Sequence, residues 1–191
     1  ALNIDIGFGS DPAKNETLAK RAAMVGATFE SVNVRSKYLQ DVLFNPKFGY
    51  GKQFNPCIDC HGFMFRTAIS MLDDYNASFV ISGEVVGQRP MSQRNDAMAH
   101  VKNLADDKDD IILRPLCAKL LKPTLPEREG WVDRDKLLGL NGRNRSPQLS
   151  LAKEFGFSDF ESPGGGCPYT MEGFSNRIRD FIKYDKNMGE D

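Results

Sequence analysis

The sequence predicts an α/β fold, a three-layer sandwich in which helices cover both faces of a mainly parallel sheet. Up to Ser82, three apolar strand-like runs alternate with two helical patterns, which is typical of parallel strands joined by crossover helices. The chain of 191 residues, 40% of them hydrophobic, is also long enough to bury a core of its own. We therefore expect a single domain over residues 1–191.

The first strand and helix are predicted from the start of the chain. Residues 2–6 alternate apolar and polar side chains, as a strand does. Asp11 can cap a helix that has Pro12 at its first position and ends at Gly26, and residues 29–34 form a second strand. Because the chain opens in the middle of this pattern, we expect an element of the fold to precede it.

The central part of the chain predicts a loop, a helix and a buried strand. Residues 45–56 are rich in Gly, Pro, Asn and aromatic side chains without a regular period, which indicates an ordered functional loop. A helical pattern follows the Cys57-x-x-Cys60 pair to about Tyr75, and residues 77–82 form a strand pattern. Ligand sites gather at the carboxyl ends of parallel strands. The candidates for a nucleotide or uridine pocket at this strand end are Ser82, Gly83, Glu84 and Arg89.

A structural ion pair is the alternative role for Glu84 and Arg89 of the predicted pocket.

The rest of the chain predicts a turn, a short strand and two helices. Residues 106–110 predict a solvated acidic turn, and residues 111–113 a short strand. Residues 146–156 predict a helix whose apolar side chains pack inward, and a last amphipathic helix follows the glycine-rich loop that contains Cys167.

The charge balance restricts where RNA could bind. With 25 Lys and Arg against 26 Asp and Glu, the net charge of −1 gives no global attraction to nucleic acid or anionic lipid. Any RNA site must therefore be a local basic patch. The best candidate belongs to residues 106–146, a possible insertion or subdomain, and a merely solvated face is its alternative. The predicted RNA-binding residues are Arg134, Lys136, Arg143 and Arg145.

Targeting signals are not evident in the sequence. No stretch approaches the roughly 18 apolar residues of a membrane span, and the first residues lack the basic region and apolar core of a signal peptide. We therefore expect a cytoplasmic protein with no membrane partner.

The four cysteines favour metal or redox chemistry over structural disulfides. Two of them form the Cys57-x-x-Cys60 pair at a predicted helix start, where the positive end of the helix dipole favours thiolates as nucleophiles or ligands. Cys167 adds a third thiol from a glycine loop. Three thiolates suit an iron–sulfur cluster with one open iron position, and a dithiol with a nucleophilic Cys is the main competitor. For Cys117 we expect an ordinary buried thiol.

Five sequence motifs carry a family resemblance that covers nearly the whole chain. The chain resembles the PP-loop ATP-pyrophosphatases that thiolate tRNA, often labelled tRNA 2-thiouridylate methyltransferase-like. In this family the fold is a Rossmann-like sandwich of the adenine nucleotide alpha-hydrolase type. The motifs are FNPKFGYG at 44–51, NPCIDCH at 55–61, SGEVVGQRPMSQ at 82–93, RPLCAKLL at 114–121 and GGGCPYT at 164–170.

The resemblance implies a chemistry and its residues. By motif, Cys60 and Cys167 resemble the catalytic cysteines of the family, and Cys57 stands where the two-cysteine enzymes have a catalytic Asp. Three-cysteine members hold a 4Fe-4S cluster, which implies a cluster on Cys57, Cys60 and Cys167. The resemblance further implies ATP with magnesium as cofactor, and tRNA and a sulfur donor as partners. A homodimer is one possible assembly.

One family motif is not found in this sequence. The ATP loop, Ser-Gly-Gly-x-Asp-Ser, is absent from these residues, and residues 7–11 match instead the loop after the family's second strand. We expect the ATP loop upstream of Ala1, and weak or no ATP binding by the 191 residues alone. A non-catalytic cluster-binding module, or one subunit of a split enzyme, is the alternative function. A dithiol oxidoreductase is a third possibility.

Overall fold

The computed structural model describes residues 1–7, 12–160 and 167–184. The chain divides into two compact units, the first formed by Ala1–Pro56 with Asp159–Asp191 and the second by Cys57–Ser158. The predictions of a single domain and of an insertion at 106–146 stay predictions.

Helices and short strands alternate along the described residues. A π-helical turn covers Leu39–Leu43, and several 3-10 turns connect the longer elements. In chain order the strands and α-helices are β1 (Leu2–Asp5), α1 (Pro12–Ala23), β2 (Glu30–Asn33), α2 (Arg35–Tyr38), α3 (Cys57–Ser70), β3 (Val80–Ile81), α4 (Asn95–Leu104), β4 (Ile112–Leu113), α5 (Leu125–Arg128), α6 (Ser146–Glu154) and α7 (Glu172–Tyr184).

Both strand pairs are parallel. In the first unit β1 pairs with β2, in register from Leu2 opposite Glu30 to Asp5 opposite Asn33. In the second unit β3 pairs with β4, with Val80 opposite Ile112. The α/β class and the parallel pairing are thus confirmed. The strands are shorter than predicted, since the pattern at 77–82 yields a strand of only two residues.

The core of the first unit is largely aromatic. The ring of Tyr38 is fully buried and stacks against that of Tyr169, with 6.3 Å between their centroids. Phe174 meets Tyr169 edge-on at 5.8 Å. The hydroxyl of Ser175 donates to the carbonyl of Tyr169 and accepts from the backbone N–H of Phe54. These contacts attach the 45–56 loop to the start of α7, so the loop is ordered as predicted.

The core of the second unit depends on a close approach of α3 and α4. The apolar face of α4 buries Ala97, Met98 and Val101. At Gly62 on α3, an added Cβ would lie 2.4 Å from the Cβ of Leu104. The two helices therefore pack backbone against side chain at a distance that only glycine permits.

Several details differ from the predictions. No helix was predicted over α4, whose apolar side chains are interspersed with polar ones. Helix α3 ends at Ser70 rather than near Tyr75, and a 3-10 turn over Asp73–Tyr75 follows it and ends at the left-handed residue Asn76, with φ of 49°. The predicted inward face of the helix at 146–156 is wrong at two positions that are exposed, Leu149 and Phe155.

The acidic turn at 106–110 is also less uniform than predicted. Asp107 is buried, and its carboxylate accepts hydrogen bonds from the backbone N–H groups of Ile111 and Ile112, at 2.8 and 3.4 Å. This carboxylate therefore anchors the start of β4.

In the residues that the structure describes, no helix has the length and apolar character needed to cross a membrane.

We expect Gly62→Ala to destabilise the protein by about 1–3 kcal/mol, because the clash with Leu104 exceeds the gain in helix propensity. Urea unfolding of both proteins measures the difference. Gly173→Ala is the matched control, since an added Cβ at this helical glycine meets nothing within 4 Å. That control should be neutral or slightly stabilising. Equal stability of the two variants would contradict the close α3–α4 contact.

Candidate functional site

The cysteine pair occupies the first turn of α3. The helix begins at Cys57, so the predicted helix-start position of both thiols is confirmed. Cys57 and Cys60 are each half-buried. Because residues three apart lie on one face of a helix, the two side chains leave the helix on the same side.

Polar residues meet where β3 and β4 end. The backbone N–H of Ser82 donates to the carbonyl of Leu113 at 2.9 Å, which extends the parallel pairing by one residue. The next residues on each strand are therefore neighbours. Beyond this point Nε of Arg114 donates to Oε2 of Glu84 at 2.8 Å, and both side chains are buried. This ion pair lies just past the carboxyl ends of β3 and β4.

His61 connects this ion pair to the cysteine helix. Its Nδ1 lies 2.6 Å from Oε1 of Glu84, and its Nε2 lies 3.4 Å from the hydroxyl oxygen of buried Ser92. Each carboxylate oxygen of Glu84 thus has its own partner, His61 on one side and Arg114 on the other. We call these three residues the Glu84 network.

The partners of Glu84 determine its ionisation. Burial raises the pKa of Glu84, but the hydrogen bond from His61 and the charge of Arg114 together outweigh burial. The net pKa is lowered, so the carboxylate is ionised at neutral pH. Its negative charge is compensated inside the fold.

Arg114 and Cys117 complete the surroundings of the network. The guanidinium of Arg114 also lies over the ring of Phe65, 5.4 Å from its centroid, and its Nη2 is buried with no hydrogen-bond partner among the described residues. The thiol of Cys117 donates to the backbone carbonyl of Glu84 at 3.4 Å, and burial raises the pKa of this thiol. Cys117 is fully buried, which confirms the prediction of an ordinary core thiol.

The four predicted pocket residues have different environments. The hydroxyl of Ser82 accepts from the backbone N–H of Glu84 at 3.2 Å. Gly83 is exposed, and the space around its Cα is open. Arg89 is exposed as well. Glu84 does form the structural ion pair that was the alternative role, but its partner is Arg114 rather than Arg89.

The third predicted cysteine lies in the other unit. Cys167 is exposed and precedes the 3-10 turn Pro168–Thr170, where its carbonyl accepts from the hydroxyl of Thr170 at 2.6 Å. The glycines at 164–166 lie outside the described residues. Within the described ranges no group of three or more His, Cys, Asp or Glu side chains is placed to hold a metal. The convergence of the three thiols, which would draw on both units, stays a prediction.

The predicted basic patch is partly used inside the fold. Arg134 forms an ion pair with Glu127, the residue that closes the capping box of α5, and donates to the carbonyls of Ala118 and Leu121. This guanidinium therefore has a structural role that the sequence analysis did not anticipate. The other three residues remain candidates for RNA contact: Lys136 and Arg143, which are exposed, and Arg145, which is half-buried.

The residues present fit the implied cofactors only in part. Two thiols one helical turn apart suit two ligands of a 4Fe-4S cluster, and the third ligand would come from Cys167. For a nucleotide, the buried Nη2 of Arg114 and the open space at Gly83 suit a polar group of the ligand at the strand ends.

No protein-family model, curated protein or solved structure matches this chain.

Sequence reasoning missed two members of the network. His61 was given no role beyond a polar residue at a helix start, and Arg114 was noted only within a motif. A usable signal existed for Arg114, because it directly follows the apolar run of β4, and Glu84 comes three residues after β3. For His61 no local signal exists, since its partner is 23 residues away in sequence.

We expect Glu84→Gln to destabilise the protein by about 3–5 kcal/mol at neutral pH, because the buried charge of Arg114 loses its counter-charge. The loss should depend on pH. A carboxylate with a lowered pKa adds stability above the ordinary carboxyl pKa, and this stability is lost as pH falls through the lowered value. The stability difference between wild type and variant should therefore shrink in acid, as urea unfolding across this range would show.

The exposed ion pair of Arg94 with Asp96, at 2.6 Å, provides a matched control. Asp96→Asn should change stability little at any pH, because water already solvates both partners. A difference between wild type and Glu84→Gln that stayed constant down to acidic pH would contradict the assigned ionisation of Glu84.

Proposed function

We propose that this chain carries the thiol site of an ATP-dependent sulfurtransferase that acts on a tRNA uridine in the cytoplasm. The finer fold belongs to the same proposal: a three-layer, Rossmann-like sandwich of the PP-loop type. The resemblance of the sequence motifs supports it. The structural observation that carries it is the placement of Cys57 and Cys60 on one helical turn, adjacent to His61, which binds the strand-end carboxylate of Glu84.

The proposed reaction has two steps. First, the C2 or C4 oxygen of the uridine attacks the α-phosphorus of ATP, and magnesium pyrophosphate leaves. The adenylated oxygen is then a good leaving group. Second, a sulfur nucleophile at the oxidation level of hydrosulfide attacks the ring carbon, the carbon–oxygen bond breaks, and AMP leaves with the bonding electrons. No electrons are gained or lost overall in this form of the reaction.

The cysteines differ in their proposed roles. A 4Fe-4S cluster held by three thiolates would have one iron without a cysteine ligand, and that iron would supply a binding position for the sulfur to be transferred. In this arrangement Cys57, Cys60 and Cys167 are ligands. In the relay form, Cys60 and Cys167 are catalytic: one carries a persulfide whose outer sulfur attacks the ring carbon, and the other attacks the resulting disulfide. The relay leaves a Cys60–Cys167 disulfide, which an external dithiol must reduce.

The Glu84 network has a positioning role in this proposal. The ion pair with Arg114 fixes the carboxylate, and the carboxylate fixes the imidazole of His61 next to Cys60. The strand-end residues Ser82, Gly83 and Glu84 are proposed to border the nucleotide or the uridine. Lys136, Arg143 and Arg145 are proposed to contact tRNA phosphates.

A second candidate function rests on a specific observation. The family's phosphate-binding pattern, Ser-Gly-Gly-x-Asp-Ser, does not occur in these 191 residues. A cluster-binding module without catalysis, or one subunit of a split enzyme, would retain the cysteines and not need this pattern. Such a protein would bind iron and would transfer no sulfur when ATP and tRNA are supplied.

We expect protein prepared without oxygen to contain iron, and Cys57→Ala, Cys60→Ala and Cys167→Ala each to reduce the bound iron to near background. Removal of one thiolate leaves the cluster without an essential ligand. Iron analysis and the visible absorption of the cluster measure the loss. Cys117→Ala is the control and should retain its iron, because this thiol is buried and donates to a backbone carbonyl.

The same variants test sulfur transfer. In protein extended at its amino terminus by the strand, ATP loop and helix of the family, and with ATP, sulfide and an unmodified tRNA transcript, thiouridine detected by mass spectrometry should be lost in the first three variants and kept in the control. Unchanged iron in Cys167→Ala would remove the third ligand. Iron without thiouridine in the wild type would favour the non-catalytic module.

A further inference from the structure

A short loop in the first unit combines exposed aromatic and basic side chains. We call residues 47–52, with the sequence KFGYGK, the 47–52 loop. Its two lysines, Lys47 and Lys52, are exposed, and Tyr50 has 39% of its surface exposed. The surrounding stretch, residues 44–56, contains no acidic residue. Neither the thiol site nor the Glu84 network accounts for this composition.

The ring of Tyr50 is held in a fixed position. One side of it stacks on the buried ring of Phe54, with 4.3 Å between the centroids and 23° between the planes. Its hydroxyl donates to the backbone carbonyl of Leu43 at 2.7 Å. The ring is thus held on one side and at its tip, while 39% of the surface of Tyr50 stays exposed.

The backbone around the loop is also fixed. Gly49 has a φ of +69°, a conformation that a side chain would disfavour. The N–H of Gly51 donates to the carbonyl of Asn55 at 3.0 Å, and the N–H of Gln53 donates to the side-chain oxygen of Asn55 at 3.0 Å. The loop is thus ordered before any ligand arrives, which lowers the entropy cost of binding.

The charges near the loop favour an anionic partner. The ammonium of Lys47 lies 5.9 Å from the ring centroid of Phe48, and Arg179 of α7 approaches the side chain of Gln53 at 3.5 Å. Lys52 adds a further positive charge. The acidic residues on the flanking elements are Asp41 on the π-helical turn and Glu172 and Asp180 on α7, and Asp180 is paired with Lys183 at 3.7 Å.

We propose that the 47–52 loop binds an unpaired nucleotide of single-stranded RNA, with its base stacked on the exposed side of Tyr50 and its flanking phosphates on Lys47 and Lys52. Flat aromatic surfaces beside positive charges are what single-stranded nucleic acids require of a binding surface. The choice of uridine-containing RNA rests on the proposed function. The loop would hold the unpaired region of the tRNA while the thiol site reacts.

The test measures binding of a fluorescein-labelled ten-nucleotide oligouridylate to the complete chain by fluorescence anisotropy, without ATP, iron or sulfide. Tyr50→Leu should weaken binding about 5- to 100-fold, because a stacked base contributes of that order. Tyr50→Phe keeps the ring and should bind within about threefold of wild type. Tyr75→Leu changes an exposed tyrosine of the second unit and should have no effect.

Lys47 and Lys52 provide a second, independent measurement. Both side chains are exposed, so their substitution should leave the fold intact. Lys47→Gln and Lys52→Gln should each reduce the slope of log affinity against log salt by about 0.7, the value for one phosphate contact on a single strand. Lys14→Gln, an exposed lysine of α1, is the matched control and should leave the slope unchanged. These variants keep the proposal testable if Tyr50→Leu does not fold.

Four results would overturn the proposal: unchanged affinity in Tyr50→Leu, an equal loss in Tyr50→Phe, unchanged salt slopes in both lysine variants, or tighter binding of an RNA duplex than of the oligouridylate. Binding of oligouridylate that depends on Tyr50, in a protein that makes no thiouridine, would instead refute the proposed function alone. Thiouridine formation with normal affinity in Tyr50→Leu would refute only the role of the loop.

Discussion

The buried carboxylate of Glu84 is the group on which the second unit depends. A charge removed from water is tolerated only if its oxygens are fully paired, and here His61 and Arg114 each take one oxygen. Each partner comes from a different element, so this single carboxylate joins α3 to the ends of both strands. Cys60 directly precedes His61 on α3. The position of the thiols relative to the strand ends therefore follows from the pairing of one carboxylate.

The close approach of α3 and α4 supports the same arrangement. Without a side chain at Gly62, α4 can pack against the first half of α3, directly after the cysteine turn. The packing at Gly62 and the pairing of His61 with Glu84 both hold α3 next to this turn. Such support would keep the thiols close to the position that the proposed reaction requires.

Much of the fold could be predicted from the sequence because its signals are local. The prolines near the starts of α1 and α6, the glycines that follow these helices and the apolar runs of the strands depend on neighbouring residues alone. Helix α4 was missed because its buried positions, among them Ala97 and Val101, are small or sparse and give a weak period. The exposure of Phe155 could not be predicted either, because a helical period identifies a face without saying whether anything covers it.

Part of the candidate site, the strand-end pair of Glu84 and Arg114, could be located from the sequence by one rule. Polar residues after an apolar strand gather at a sheet edge, and this rule found Glu84 and could have found Arg114. The pairing itself is not local, since 30 residues separate the two side chains. Arg134 shows the converse, because a basic residue that looks like a phosphate ligand in the sequence is held by Glu127 and two carbonyls in the fold.

The buried thiol of Cys117 has a consequence for how this protein would respond to oxidants and alkylating reagents. These reagents attack thiolates, and Cys117 is both inaccessible and held as a neutral thiol by its surroundings. It can be modified only when the second unit opens. The rate of its modification therefore reports local unfolding around Glu84, and a protein that had lost this pairing would be marked chemically at Cys117 rather than at the three cysteines of the proposed site.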